Sequence, residues 1–168
     1  MLEQPSSGTQ RPAVRRPRIL LADDHRPLLD QVISLLQADF EVVGAVSNGK
    51  TLVSEAQRLK PDVIVLDIAM PILNGIEAAH LLHEAGSTAK LIFLTVHQDP
   101  AFVRACFAEG ALGYVTKPEL VSDLIPAINQ VRAGHRFVSQ SALYKLDPPS
   151  KHSESRVSEH ERTKSKAK

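Results

Sequence analysis

Asp67 ends the apolar run Val63-Ile64-Val65-Leu66. Asp23 and Asp24 follow Ile19-Leu20-Leu21-Ala22, Thr95 follows Leu91-Ile92-Phe93-Leu94, and Lys117 closes Leu112-Gly113-Tyr114-Val115-Thr116. Three carboxylates, a hydroxyl and an ammonium thus occupy the same place relative to short apolar runs. Clustered carboxylates repel one another unless a cation sits among them. Mg²⁺ suits such a set, because it takes oxygen ligands and keeps an open side for a phosphate. A carboxylate can attack phosphorus to form an acyl phosphate, and the oxygens of the transferring group need positive charge and donors nearby. Mg²⁺, the Lys117 ammonium and the Thr95 hydroxyl would supply them.

The apolar runs read as strands buried on both faces, near 18–22, 41–46, 62–66, 90–94 and 112–116. Helical patterns alternate with them near 26–38, 49–59, 74–85, 99–109 and 119–133. Leu28, Leu29, Val32, Ile33, Leu35 and Leu36 form a stripe in the first of these, as a helix facing a sheet requires. Gly110 and Gly134 stand just past helix ends, where a left-handed cap is wanted. Alternating strand and helix units of this length predict a doubly wound parallel α/β sheet with helices on both faces. The carboxyl ends of such strands line a shared crevice where ligands bind. Taken singly, each Asp could be a turn former, Thr95 a β-former and Lys117 a solvated charge. Functional groups at four of five strand ends favour one shared site.

Residues 1–17, with three prolines and polar company, read as a disordered leader. The folded domain is expected over 18–134, followed by a short extension over 135–146. Within it Arg136–Ser139 suggests an extended piece and Ser141–Leu146 a brief helical turn. Residues 147–168 are almost without apolar side chains and are expected to be a disordered charged tail.

The formal net charge of +1 over 168 residues conceals a division. Residues 1–18 and 145–168 each carry +3, which leaves −5 on the body. An acidic body argues against a nucleic-acid-binding surface there, since phosphate backbones need clustered positive charge. The single cysteine, Cys106, excludes an intrachain disulfide and reads as a small buried hydrophobe. Neither a signal peptide nor a membrane-spanning run is visible, so a cytoplasmic protein without membrane partners is expected.

The stretches ILLADDHRP (Ile19–Pro27), PDVIVLDIAMPILNG (Pro61–Gly75), LIFLTVHQD (Leu91–Asp99) and GALGYVTKP (Gly110–Pro118) resemble the receiver domains of bacterial two-component response regulators. The likeness covers about residues 18–134 and is closest to the subgroup that carries a LuxR-type helix-turn-helix. It implies a five-stranded sheet in the flavodoxin-like order 2-1-3-4-5 and Asp67 as phosphoacceptor. Asp24, Asp67 and the Ala69 carbonyl would bind Mg²⁺ directly, and Asp23 mainly through water. Thr95 and Lys117 would contact the phosphoryl group. Tyr114, otherwise a half-buried strand aromatic, would turn inward with Thr95 as the switch. Lys117-Pro118 matches a cis peptide position. Ala69 and His97 flank the site mouth, where His97 is either a surface histidine or a group admitting water or donor.

By the same resemblance the phosphoryl group comes from a histidine kinase or phosphotransfer protein. The changed surface offered to a downstream partner would be helix 99–109, strand 112–116 and helix 119–133. The polar tail cannot build a helix-turn-helix, so a stand-alone receiver is expected. A haloacid-dehalogenase-like phosphatase would need a second acid two residues after Asp67, where Ala69 stands. A DNA-binding regulator with a truncated output domain is the remaining alternative. The tail's basic residues are interspersed with acids, so no specific nucleic-acid recognition is expected.

Overall fold

In the computed structural model, residues 15–146 are described. The chain runs β1 (Arg18–Ala22), α1 (Arg26–Leu36), β2 (Glu41–Val46), α2 (Gly49–Leu59), β3 (Val63–Leu66), α3 (Gly75–Glu84) and β4 (Lys90–Thr95). It continues through α4 (Pro100–Ala108), β5 (Gly113–Thr116), a 3-10 turn (Lys117–Glu119), α5 (Leu120–Arg132), β6 (Phe137–Val138) and α6 (Gln140–Leu146). The sheet is parallel, in the order β2-β1-β3-β4-β5-β6. The expected order therefore holds, with a sixth strand added. Two residues suffice for β6 because Phe137 N–H donates to the Leu112 carbonyl and Ser139 N–H to that of Tyr114, both at 2.9 Å.

The side-chain alternation of each strand divides the core into two layers. Leu20, Ile64, Leu66 and Phe93 point to the side covered by α2, α3 and α4. Ile19, Leu21, Val63, Val65, Ile92 and Leu94 point to the side of α1 and α5. Strands so covered must be apolar at every position, which is why their runs are continuous rather than alternating.

Helix ends follow local chemistry. The Asn48 side chain caps α2, Asn74 and Glu77 form a reciprocal capping box on α3, and Asp99 precedes Pro100 at the start of α4. Gly110 and Gly134 both adopt φ +85°, as left-handed caps require.

Of the expected leader, residues 15–17 are described, and they are tied to the body. The Arg15 guanidinium pairs with Asp62 at 2.8 Å, and the Pro17 carbonyl accepts from Glu41 N–H. The rest of the leader and the whole tail lie outside the described residues. Cys106 is fully buried in α4, and burial pushes its thiol up to about 12. Among the described residues no helix is long and apolar enough to cross a membrane.

Candidate functional site

β1 and β3 are hydrogen-bonded neighbours, so their ends bring Asp23, Asp24 and Asp67 to one place. Backbone bonds fix both junctions: Asp67 N–H donates to the Ala22 carbonyl at 2.9 Å and Asp23 N–H to that of Val46 at 3.0 Å. The three residues can offer carboxylate oxygens that all lie within 4.8 Å of one another. Asp23 and Asp67 are buried and Asp24 is exposed.

Lys117 crosses from the end of β5 to meet the two buried carboxylates. Its Nζ lies 2.7 Å from Asp23 Oδ2 and 2.8 Å from Asp67 Oδ2. The bond to Asp67 is aligned, whereas the approach to Asp23 is ionic, leaving that buried oxygen without an aligned donor. Burial works against the Lys117 charge, but its close contacts with the Asp23 and Asp67 carboxylates outweigh that and hold its pKa above lysine's ordinary value. The remaining oxygens are held by the backbone. Ile68 N–H donates to Asp67 Oδ1 at 2.7 Å and His25 N–H to Asp23 Oδ1 at 2.8 Å.

The loop after β3 closes tightly under Asp67. Gly75 N–H donates to the Ile68 carbonyl at 2.9 Å, and a Cβ on Gly75 would overlap the Asp67 carbonyl oxygen. Only glycine fits that approach. Ala69 is exposed at the rim of this loop, and Ile72 holds φ +71° at its tip.

Thr95 is fully buried at the end of β4, where its Oγ1 accepts from His97 N–H at 3.3 Å. Tyr114 is fully buried rather than half-buried, and its hydroxyl donates to the His97 carbonyl at 2.8 Å. Burial, then the charges of Cys106, Asp67 and Asp99, raises the Tyr114 pKa. The His97 ring stacks on Phe102 with centroids 4.3 Å apart, so it is a packed residue rather than a free surface histidine.

A family signature, the response regulator receiver domain, matches residues 19–129. The chain belongs to that family. This receiver is 34% identical over 132 residues to response regulator GacA of Pseudomonas aeruginosa, which covers 77% of this chain and 61% of that protein. It is 33% identical over 131 residues to the transcriptional regulatory protein YvfU of Bacillus subtilis, covering 77% of this chain and 66% of that one. The receiver thus spans roughly three-fifths to two-thirds of the length of these relatives. Among solved structures, a LuxR-family two-component response regulator from Aurantimonas superposes with a TM-score of 0.75 at 29% identity, over 79% of this chain and 96% of that one. The response regulator domain of Thermotoga maritima CheB gives 0.67 at 30% identity, over 71% and 98% of the two chains.

As a receiver domain of two-component systems, the protein is a signalling module, and its carboxylate cluster is of the kind that binds a metal ion in the family. The residues fit a hard divalent cation. All the side-chain donors are oxygens, and Asp23 Oδ2 is a buried oxygen awaiting an aligned partner.

The structure corrects the expected cis peptide bond. No peptide bond among the described residues is cis, so Lys117–Pro118 is trans. Pro118 lies in the first turn of the 3-10 segment, where its fixed φ is accommodated and its missing N–H costs nothing. The face proposed for a partner is also partly occupied, because β6 lies along β5 and α6 packs beside α4. Sequence reasoning missed Glu119, whose carboxylate accepts from the Thr116 and Ser141 hydroxyls at 2.7 and 2.6 Å. The Thr116–Glu119 spacing was a local signal for half of that arrangement; Ser141 is brought in by the tertiary fold.

Proposed function

We propose that this receiver accepts a phosphoryl group on Asp67 from a histidine kinase or phosphotransfer protein and passes the signal to a partner in the cytoplasm. The observation that carries this reading is the Lys117 ammonium bridging Asp23 and Asp67 beside exposed Asp24. Attack by an Asp67 carboxylate oxygen would form a P–O bond as the donor's P–N bond breaks, with the leaving imidazole taking up a proton. Lys117 would follow the charge onto the phosphoryl oxygens. The Thr95 hydroxyl accepts from His97 N–H and keeps its own proton to donate.

Asp24, Asp67 and the Ala69 carbonyl would hold Mg²⁺, with Asp23 acting through water. The ion would neutralise the carboxylates and the developing charge on the phosphoryl oxygens. The net charge of −5 on residues 19–144 supports a protein partner over a phosphate backbone.

The test is incubation with Mg²⁺ and a small acyl phosphate or phosphoramidate, followed on a phosphate-retarding gel. One slower band is expected, absent in Asp67→Asn. Equal labelling of that variant would remove Asp67 from its role.

A further inference from the structure

Residues 137–146 are anchored to both loops that follow the Thr95 and Lys117 strands. At the Lys117 side, Glu119 Oε2 accepts from the Ser141 hydroxyl at 2.6 Å and Glu119 Oε1 from Ser141 N–H at 3.3 Å. The same Oε2 accepts from the hydroxyl of Thr116, whose N–H donates to Ser139 Oγ at 3.2 Å. Ser139 in turn donates to Asp123 Oδ2 at 2.6 Å. At the Thr95 side, the Lys145 ammonium donates to Gln98 Oε1 at 2.8 Å. Between these anchors Ala142 is fully buried in the same apolar cluster as Val103, Cys106 and Tyr114.

The segment therefore sits on the β5 edge and against α4 while holding on to the site's own loops. Thr116 and Glu119 lie one and two residues from Lys117, in and beside a three-residue 3-10 turn. Lys117 opens that turn, so a change at Lys117 acts directly beside both residues. Hydrogen bonds of 2.6–2.7 Å weaken within a fraction of an ångström of misplacement. A phosphoryl group on Asp67 adds negative oxygens on one side of Lys117, which now divides its charge between two carboxylates. It also offers Thr95 a new acceptor, at the root of the loop that carries Gln98.

We propose that residues 137–146 are a built-in cover of the α4–β5 face, latched by Glu119, and that phosphorylation of Asp67 loosens the latch. This rests on the reading of Asp67 as phosphoacceptor. The cover would turn a small movement of two side chains into exposure of a strand edge, a two-state element biased from the site.

Amide hydrogen exchange of the full chain, read by mass spectrometry, tests it. Four samples are compared: the untreated protein, the protein after Mg²⁺ and acetyl phosphate, and untreated Glu119→Ala and Ser141→Ala. Peptides covering 134–146 should exchange severalfold faster after phosphorylation and in both variants, while β1 and β3 peptides stay protected. Intact mass reports the phosphoryl adduct independently. An adduct with unchanged or slower exchange over 134–146 would overturn the coupling. Unchanged exchange in both variants would overturn the latch. Absence of any adduct would sink the Asp67 reading and the coupling with it, leaving the two variants to decide whether Glu119 holds the segment.

Discussion

The Tyr114 hydroxyl and the His97 carbonyl are joined by a 2.8 Å hydrogen bond, and His97 N–H reaches back to Thr95 Oγ1 at 3.3 Å. One residue thus connects the hydroxyl at the site to the aromatic in β5. The connection runs through backbone groups of His97, so it does not depend on the imidazole. Its ring is committed to Phe102 instead.

Tyr114→Phe should keep the ring in its buried place and remove this bond. The loss is about 1 kcal/mol, which thermal melting would register as a fall of about 4 °C. Phosphorylation of Asp67 should continue at nearly the same rate, since no Tyr114 atom is needed for the transfer. A large loss of phosphorylation in this variant would show that the Thr95 side depends on Tyr114 for more than position.

Lys117→Ala should destabilise the metal-free protein by about 3 kcal/mol, because it strands two buried carboxylates without their counter-ion. Mg²⁺ should restore part of that loss, and urea titrations with chelator and with Mg²⁺ would measure both. Asp24→Ala should behave oppositely. Asp24 is exposed and outside the Lys117 pair, so its removal should change metal-free stability by less than about 0.5 kcal/mol. Its cost should fall on Mg²⁺ affinity.

Gly75→Ala should cost about 3 kcal/mol, the upper range for forcing atoms into a packed place. The added Cβ would meet backbone rather than a movable side chain, and the displaced atom would be the Asp67 carbonyl. Phosphorylation should slow along with the drop in melting temperature.

Glu119 supplies a pH dependence of defined sign. Burial opposes its charge, but bonds from Ser141 and Thr116 outweigh that and lower its pKa below the usual 4.5. A depressed carboxylate stabilises the fold fully above its unfolded pKa, and the contribution disappears as pH falls through the folded value. The difference in melting temperature between the wild type and Glu119→Ala should therefore be constant near neutrality and shrink below pH 4.5. Asp123, bonded to Ser139 and Ser122, is the neighbouring carboxylate, so Asp123→Asn is the control.

Much of the site was legible because its chemistry is written locally. Asp67 is visible as the polar end of Val63-Ile64-Val65-Leu66, and its height in the fold is fixed by the length of that run. The five main strands and five main helices follow from periodicity and from glycines such as Gly110 and Gly134, each of which acts within a few residues of itself. Parallel strands of similar length then place their polar ends along one edge of the sheet, where Asp23, Asp24 and Asp67 gather.

What the tertiary structure decided depends on partners distant in sequence. Arg136–Ser139 suggests an extended piece, but only pairing with the edge of β5 makes Phe137-Val138 a sixth strand of the sheet. Ser139, Ser141 and Glu119 look like surface residues until α6 folds back across the 116–119 turn. Tyr114 is fully buried in an apolar cluster that Ala142, on that returning segment, joins. The same holds for Lys117, whose charge belongs to Asp23 and Asp67 only once β5 lies two strands from β3. Local patterns set which backbone each segment prefers. Pairings across 20 to 50 residues set which charges and edges are satisfied, and no local pattern encodes those.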